Sequence, residues 1–199
     1  MQSTTTRSSK EFAQLLNLIE SAVAAGINLI QIREKELPAL VLYDLALRAV
    51  ALTKKSATQL LLNDRADVAA AAGAAGVHLT ARSIASATIR NHFGTHFLIG
   101  VSTHSLAEVR EARDGQADFV VFGPVFETTS KQGYGPPTGL ATLREVAHNV
   151  SPFPVLALGG VAFENLKDCL WAGAAGIAGI GLFERTDDLA KIGHLVRDE

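Results

Sequence analysis

The chain of 199 residues has a single cysteine, Cys169, so an internal disulfide is excluded, and no Cys-x-x-Cys or His/Cys cluster carries metal-ligand spacing. Cys169 reads as a core thiol. Excess charge is also lacking: the net charge is −2, which gives no bulk attraction to nucleic acid or to an anionic membrane. No uninterrupted apolar run approaches the roughly 18 residues of a membrane span, and the Ser/Thr-rich start has no signal-peptide apolar region. The expected compartment is the cytoplasm. No G-x-G-x-x-G follows any expected strand, which weakens a dinucleotide-binding sheet. What is present is apolar material, 48% hydrophobic against 19% charged, enough for one globular domain over residues 1–199, with residues 1–7 read as a tail.

The apolar material comes in short pieces. Phe119-Val120-Val121-Phe122 is a continuous run, long enough for a buried strand and too short for a helix. Leu29 to Glu34, Leu60 to Leu62, Gly76 to Leu79, Phe97 to Ser102, Pro154 to Gly160 and Gly176 to Gly181 read likewise as strands. Between them lie helical patterns: a helix from a Ser8/Glu11 capping box to Gly26, one opened by Pro38, and others at 67–72, 83–92, 105–114, 140–150, 163–171 and 186–196. Continuous apolar strands alternating with helices imply a parallel sheet covered by helices. An open doubly wound sheet and a closed (β/α)₈ TIM barrel both fit. The barrel is preferred, with its first strand weak or missing, because polar residues cluster where the strands end and a barrel gathers those ends at one mouth.

Two chemistries stand at these ends. Arg33, Lys35 and Lys131 are cations, accompanied by the amides Gln31 and Asn63 and the hydroxyl of Ser102, and Asp64 is the carboxylate among them. A carboxylate among phosphate donors suits Mg²⁺ bridged to a pyrophosphate, since Mg²⁺ takes one or two carboxylates and completes its shell with phosphate oxygens. The second set is Thr128, Ser130, Gly160 and the Ile180-Gly181 turn, hydroxyls and glycine turns of the kind that hold a single phosphate through N–H groups. The same residues also fit plainer roles: a surface charge cluster at Arg33-Glu34-Lys35, a helix cap at Asn63-Asp64 and a tight turn at Gly159-Gly160.

The segments QIREK, LLNDRAD, GVHL, IGVSTHS, GPVFETTSK with GPP, and LALGG, in that order, resemble the strand-end motifs of the thiamine-phosphate synthases, from about Leu15 to Phe183. The resemblance implies a Mg²⁺-dependent transferase of thiamine biosynthesis that joins hydroxymethylpyrimidine diphosphate to hydroxyethylthiazole phosphate and releases pyrophosphate. It implies that Gln31, Arg33, Lys35, Asn63 and Lys131 hold the diphosphate, Asp64 the metal, and that Ser102 lies beside the pyrimidine and its leaving group. Thr128, Ser130, Gly160, Ile180 and Gly181 would then hold the thiazole phosphate. The partners are small phosphorylated molecules, and a homo-oligomer is compatible with the chain. Three departures accompany the resemblance. Thr80-Ala81-Arg82-Ser83 follows GVHL where the family usually has Gly-Gln-Glu-Asp, Gly181 stands in place of a serine, and no first strand is recognisable before Ser8. They bring in two alternatives: a thiazole tautomerase of the same superfamily, with His104 or His78 as proton carrier, and a non-catalytic barrel that binds thiamine precursors.

Overall fold

The structure, a computed structural model, describes residues 10–128, 136–183 and Leu189. Among them seven strands alternate with seven helices. They fall into two compact units. One holds the described residues up to His78 together with His96–Leu98, Phe183 and Leu189; the other holds Leu79–Thr95 and Ile99–Leu182 as far as described. The helix expected at 186–196 lies outside the described residues except for Leu189, which is buried. No described helix is long and apolar enough to cross a membrane.

In the first unit β1 (Leu29–Ile32), β2 (Gln59–Asn63) and β3 (Gly76–Leu79) run parallel in sequence order, with Ile32 opposite Leu62 and Asn63 opposite His78. Leu60, Leu61 and Leu62 are all buried, as a strand covered on both faces must be. Helix α1 (Lys10–Ala24) buries Phe12 and Ile19, α2 (Ala39–Thr53) buries Leu42, Leu45, Ala46 and Ala49, and α3 (Ala66–Ala72) follows β2. The alanines let α2 pack closely against α3. Pro38 stands one residue before α2, where its missing N–H breaks no bond.

The second unit carries α4 (Ser86–Phe93), β4 (Leu98–Thr103, from Ile99 onward), α5 (Leu106–Asp114), β5 (Phe119–Phe122), α6 (Gly139–Val150), β6 (Val155–Leu158), α7 (Leu166–Trp171) and β7 (Gly176–Ala178). Its strands are again parallel and in sequence order, with Thr103 opposite Phe122, Phe122 opposite Ala157 and Leu158 opposite Ala178. Ser105 caps α5 by accepting the Glu108 N–H, and the Glu108 carboxylate accepts the His104 N–H at 2.7 Å. Two helices start three residues later than their sequence patterns suggest. Ser83 accepts the Thr80 N–H at 2.6 Å and shares a bond with its hydroxyl, so 80–83 closes as a turn ahead of α4. Before α7, the Asn165 side chain captures the backbone in the same way.

A buried cation holds the starts of β4 and β5. Arg90, 6% exposed, donates to the carbonyls of Gly94 and Gln116 and pairs with Asp118 at 2.7 Å, while Asp118 also accepts the Ile99 N–H. Arg90→Ala removes this donor from the Gly94 and Gln116 carbonyls and leaves Asp118 without its cation, and breaking such a pair is expected to cost about 3 kcal/mol. Urea unfolding should show this loss while turnover per folded molecule stays near wild type. Unchanged stability would refute the clamp.

Candidate active site

In the first unit the polar residues stand where β1 and β2 end. Gln31, on β1, donates from Nε2 to Asn63 Oδ1 at 3.1 Å, and Asn63 donates from Nδ2 to Asp64 Oδ2 at 2.8 Å. Asn63 is 9% exposed and closes β2. Asp64 follows at φ 59°, a left-handed conformation that aspartate tolerates better than most residues. Its N–H bonds the His78 carbonyl, so the turn leaves β2 with its backbone held and its carboxylate exposed. Arg33 and Lys35 follow β1 directly; both are exposed and neither forms an ion pair among the described residues. Arg65 differs, because Asp67 grips it with bonds of 2.9 and 2.7 Å and raises its pKa.

His78, opposite Asn63, is 5% exposed. Burial is the main cause bringing its imidazole down to about 4; Asp64 acts to raise it and Arg33 to lower it further. The guanidinium and the carboxylate therefore both act on one imidazole. His78 is neutral in the folded chain at neutral pH, whereas in the unfolded chain it takes a proton near pH 6.5. Its contribution is thus fully present above about pH 6.5 and is lost as pH falls towards 4, roughly 3 kcal/mol over that window. Wild type is expected to lose this stability between pH 7.5 and 4.5, and His78→Gln to lose much less, in urea titrations at both pH values. Equal losses would show that another group governs the acid limb.

In the second unit the segment after β5 is strapped to the segment after β6. The Val125 N–H bonds the Leu158 carbonyl at 2.8 Å and the Phe126 N–H the Gly159 carbonyl at 3.0 Å, while Thr138 and Gly139 donate back to Pro124 and Val125. Gly160 has φ 64°, and a Cβ there would stand 2.4 Å from the Glu127 carbonyl oxygen and 2.7 Å from Phe126 Cβ. Only glycine fits. The turn beyond it is stapled by Asn165, which accepts the Ala162 N–H at 2.8 Å and donates to the Gly160 carbonyl at 3.0 Å. The Gly160 and Val161 N–H groups donate to no other described residue, which makes this turn a candidate phosphate cradle. Ile180 and Gly181 stand exposed beyond β7, and a Cβ at Gly181 would meet nothing within 4 Å.

Thr128 is the last described residue of the β5 loop; Ser130 and Lys131 lie outside the described residues. Ser102 lies within β4, opposite Val121 and half-buried. His104 Nδ1 donates to the Gly123 carbonyl, which can only accept, so the ring proton is on Nδ1. No group of three or more His, Cys, Asp or Glu residues comes together among the described residues. A single exposed carboxylate such as Asp64 fits a Mg²⁺ that takes the rest of its shell from phosphate and water. The residue that sequence reasoning misses is Asn165: it falls inside the helix expected at 163–171, and its bond back to Gly160 shows only once α7 is seen to start at Leu166.

The thiamine monophosphate synthase family profile matches residues 4–183. The chain belongs to this family. A relative from Geobacter sulfurreducens is 44% identical over 164 residues, 82% of this chain and 76% of its own length. The thiamine-phosphate synthase of Methanoculleus marisnigri is 39% identical over 183 residues, 92% of this chain and 86% of its own. The solved structure of a thiamine phosphate pyrophosphorylase from Pyrococcus furiosus superposes with a TM-score of 0.80 at 27% identity, covering 96% of this chain and 91% of that one. The fold class is therefore that of the thiamine monophosphate synthase family, an α/β chain of the TIM-barrel type.

Proposed function

We propose that this chain, acting as one domain, is a transferase that joins hydroxymethylpyrimidine diphosphate to hydroxyethylthiazole phosphate with release of pyrophosphate. The observation that carries the reading is the set of exposed cations at the end of β1, Arg33 and Lys35, in the same unit as a carboxylate that accepts from Asn63, itself bonded by Gln31. That arrangement suits a diphosphate–metal complex and has little use in a protein that binds one phosphate.

The reaction needs charge neutralisation more than proton transfer. The methylene–oxygen bond of the diphosphate breaks, its electron pair leaves with pyrophosphate, and the methylene cation is stabilised by the electron-rich pyrimidine ring. The thiazole nitrogen lone pair then forms the new carbon–nitrogen bond; that nitrogen carries no proton, so no general base is required. Arg33, Lys35 and Lys131 stabilise the negative charge gathering on the leaving group, while Ser102 lies beside the pyrimidine. Asp64 would hold Mg²⁺, which when bound neutralises further charge on the pyrophosphate. Thr128, Ser130, the Gly160 turn and the Ile180-Gly181 turn hold the thiazole phosphate through hydroxyls and N–H groups.

The test is an assay with both synthase substrates, with and without Mg²⁺, run beside one for isomerisation of the thiazole carboxylate phosphate. Metal-dependent thiamine phosphate formation is expected. Metal-independent isomerisation alone would transfer the reading to a tautomerase. A buried, neutral His78 is poorly placed to shuttle its proton, so His104 would be the carrier to test there. Binding of both phosphates without turnover would mean a precursor-binding barrel.

A further inference from the structure

The synthase reading gives Gln31 and Asn63 direct contacts to the diphosphate, yet the Gln31 amide is engaged with Asn63 and the Asn63 amide with Asp64. The direction of these bonds is not arbitrary. An ionised carboxylate only accepts, so Asn63 must turn its Nδ2 towards Asp64. Its Oδ1 then faces β1 and requires a donor there, which Gln31 Nε2 supplies. Asn63 is 9% exposed, so a flipped amide would face Asp64 with an oxygen at 2.8 Å, with little water to relieve the repulsion. The backbone of Asp64 is fixed separately, through its N–H to the His78 carbonyl at 3.0 Å. Backbone and one carboxylate oxygen are thus both held, from two neighbouring strands.

We infer that Gln31 and Asn63 are positioning residues: a polarised amide relay from β1 through β2 that fixes Asp64 Oδ2 and with it the orientation of the carboxylate that would hold the metal. The inference rests on the synthase reading and deepens it. Asp64 is the carboxylate that would hold the ion, so its orientation bears on how much Mg²⁺ is needed. Asn63 carries that orientation directly, and Gln31 carries it by setting which way Asn63 faces. Glutamate at position 31 keeps the shape of the side chain but, when ionised, can only accept. It would draw Asn63 Nδ2 to itself and turn Oδ1 against Asp64, reversing the relay.

The experiment is calorimetric titration of Mg²⁺ into protein saturated with pyrophosphate, for wild type, Gln31→Glu and Gln31→Leu, beside turnover measured across the same Mg²⁺ range. Losing a charge-assisted bond and gaining a repulsion should raise the half-saturating Mg²⁺ about tenfold in Gln31→Glu, and roughly threefold in Gln31→Leu, which removes the donor without reversing the amide. Turnover of both variants should recover at raised Mg²⁺, a rescue that neither a damaged fold nor a lost substrate contact would show. An unchanged or lowered Mg²⁺ requirement, or a turnover defect that no Mg²⁺ concentration repairs, overturns the relay. Failure of the wild type to bind pyrophosphate with Mg²⁺ is a different result: it removes the synthase reading and the metal role with it. A separate arm needs no metal. In the free protein Asn63→Ala should shift the Gln31 side-chain amide resonances, and unmoved resonances would overturn the relay whatever the chain catalyses.

Discussion

Replacing Gly160 by alanine is expected to lower thiazole phosphate affinity roughly hundredfold and to reduce synthase turnover accordingly, while pyrophosphate with Mg²⁺ binds as in wild type. The added methyl has no room: it would stand 2.4 Å from the Glu127 carbonyl oxygen on a backbone already at φ 64°. Both the left-handed conformation and the close approach of the β5 segment must yield. Strain of this kind runs to about 1–3 kcal/mol, and relieving it moves the N–H groups that form the cradle. A hundredfold loss corresponds to about 2.7 kcal/mol, within that range. Gly181→Ala is the control, because a Cβ there meets nothing within 4 Å; its affinity should stay within about threefold of wild type. Calorimetry with the thiazole phosphate decides the matter. Equal affinities for Gly160→Ala and wild type would remove this turn from the site.

Removing the guanidinium of Arg33 should affect the other substrate. Arg33→Ala is expected to weaken binding of pyrophosphate with Mg²⁺ by at least tenfold, since a charge-assisted contact is worth about 1.5–3 kcal/mol. Turnover should fall with it. Arg33 is exposed and forms no ion pair among the described residues, so its loss leaves no buried acceptor behind and thermal stability should not change. Thiazole phosphate affinity should also persist, because its described residues belong to the second unit. Unaltered pyrophosphate binding would leave Arg33 as a surface charge and turn attention to Lys35 and Lys131.

The strands were the easiest part of the fold to read. Phe119–Phe122 appears as expected because four consecutive apolar residues have no other stable place than a strand buried on both faces. Strand β1 ends at Ile32 rather than Glu34, since its pairing with β2 stops at Ile32 opposite Leu62. The late starts of α4 and α7 come from Ser83 and Asn165, whose side chains bond nearby backbone groups in a turn. A helical pattern does not reveal that choice. In the candidate site, the residue types were visible as charges and amides immediately after apolar runs, a pattern that plainer roles also fit. Their connections were not. The bond from Gln31 to Asn63 depends on how β1 and β2 align, and the Arg90 clamp joins a helix to the loop before β5, far along the chain. Such links exist only once the register is set.

The placement of that clamp bears on how freely this chain can vary. Arg90, Gln116 and Asp118 secure the ends at which β4 and β5 begin, whereas Ser102, Thr128 and the Gly160 turn lie where strands end. Framework and chemistry therefore draw on separate sets of bonds. Substitution at Thr80–Ser83 or at Gly181 touches none of the residues that make the clamp's bonds. Loop substitutions of that kind are therefore expected to leave in place the stability that Arg90 supplies.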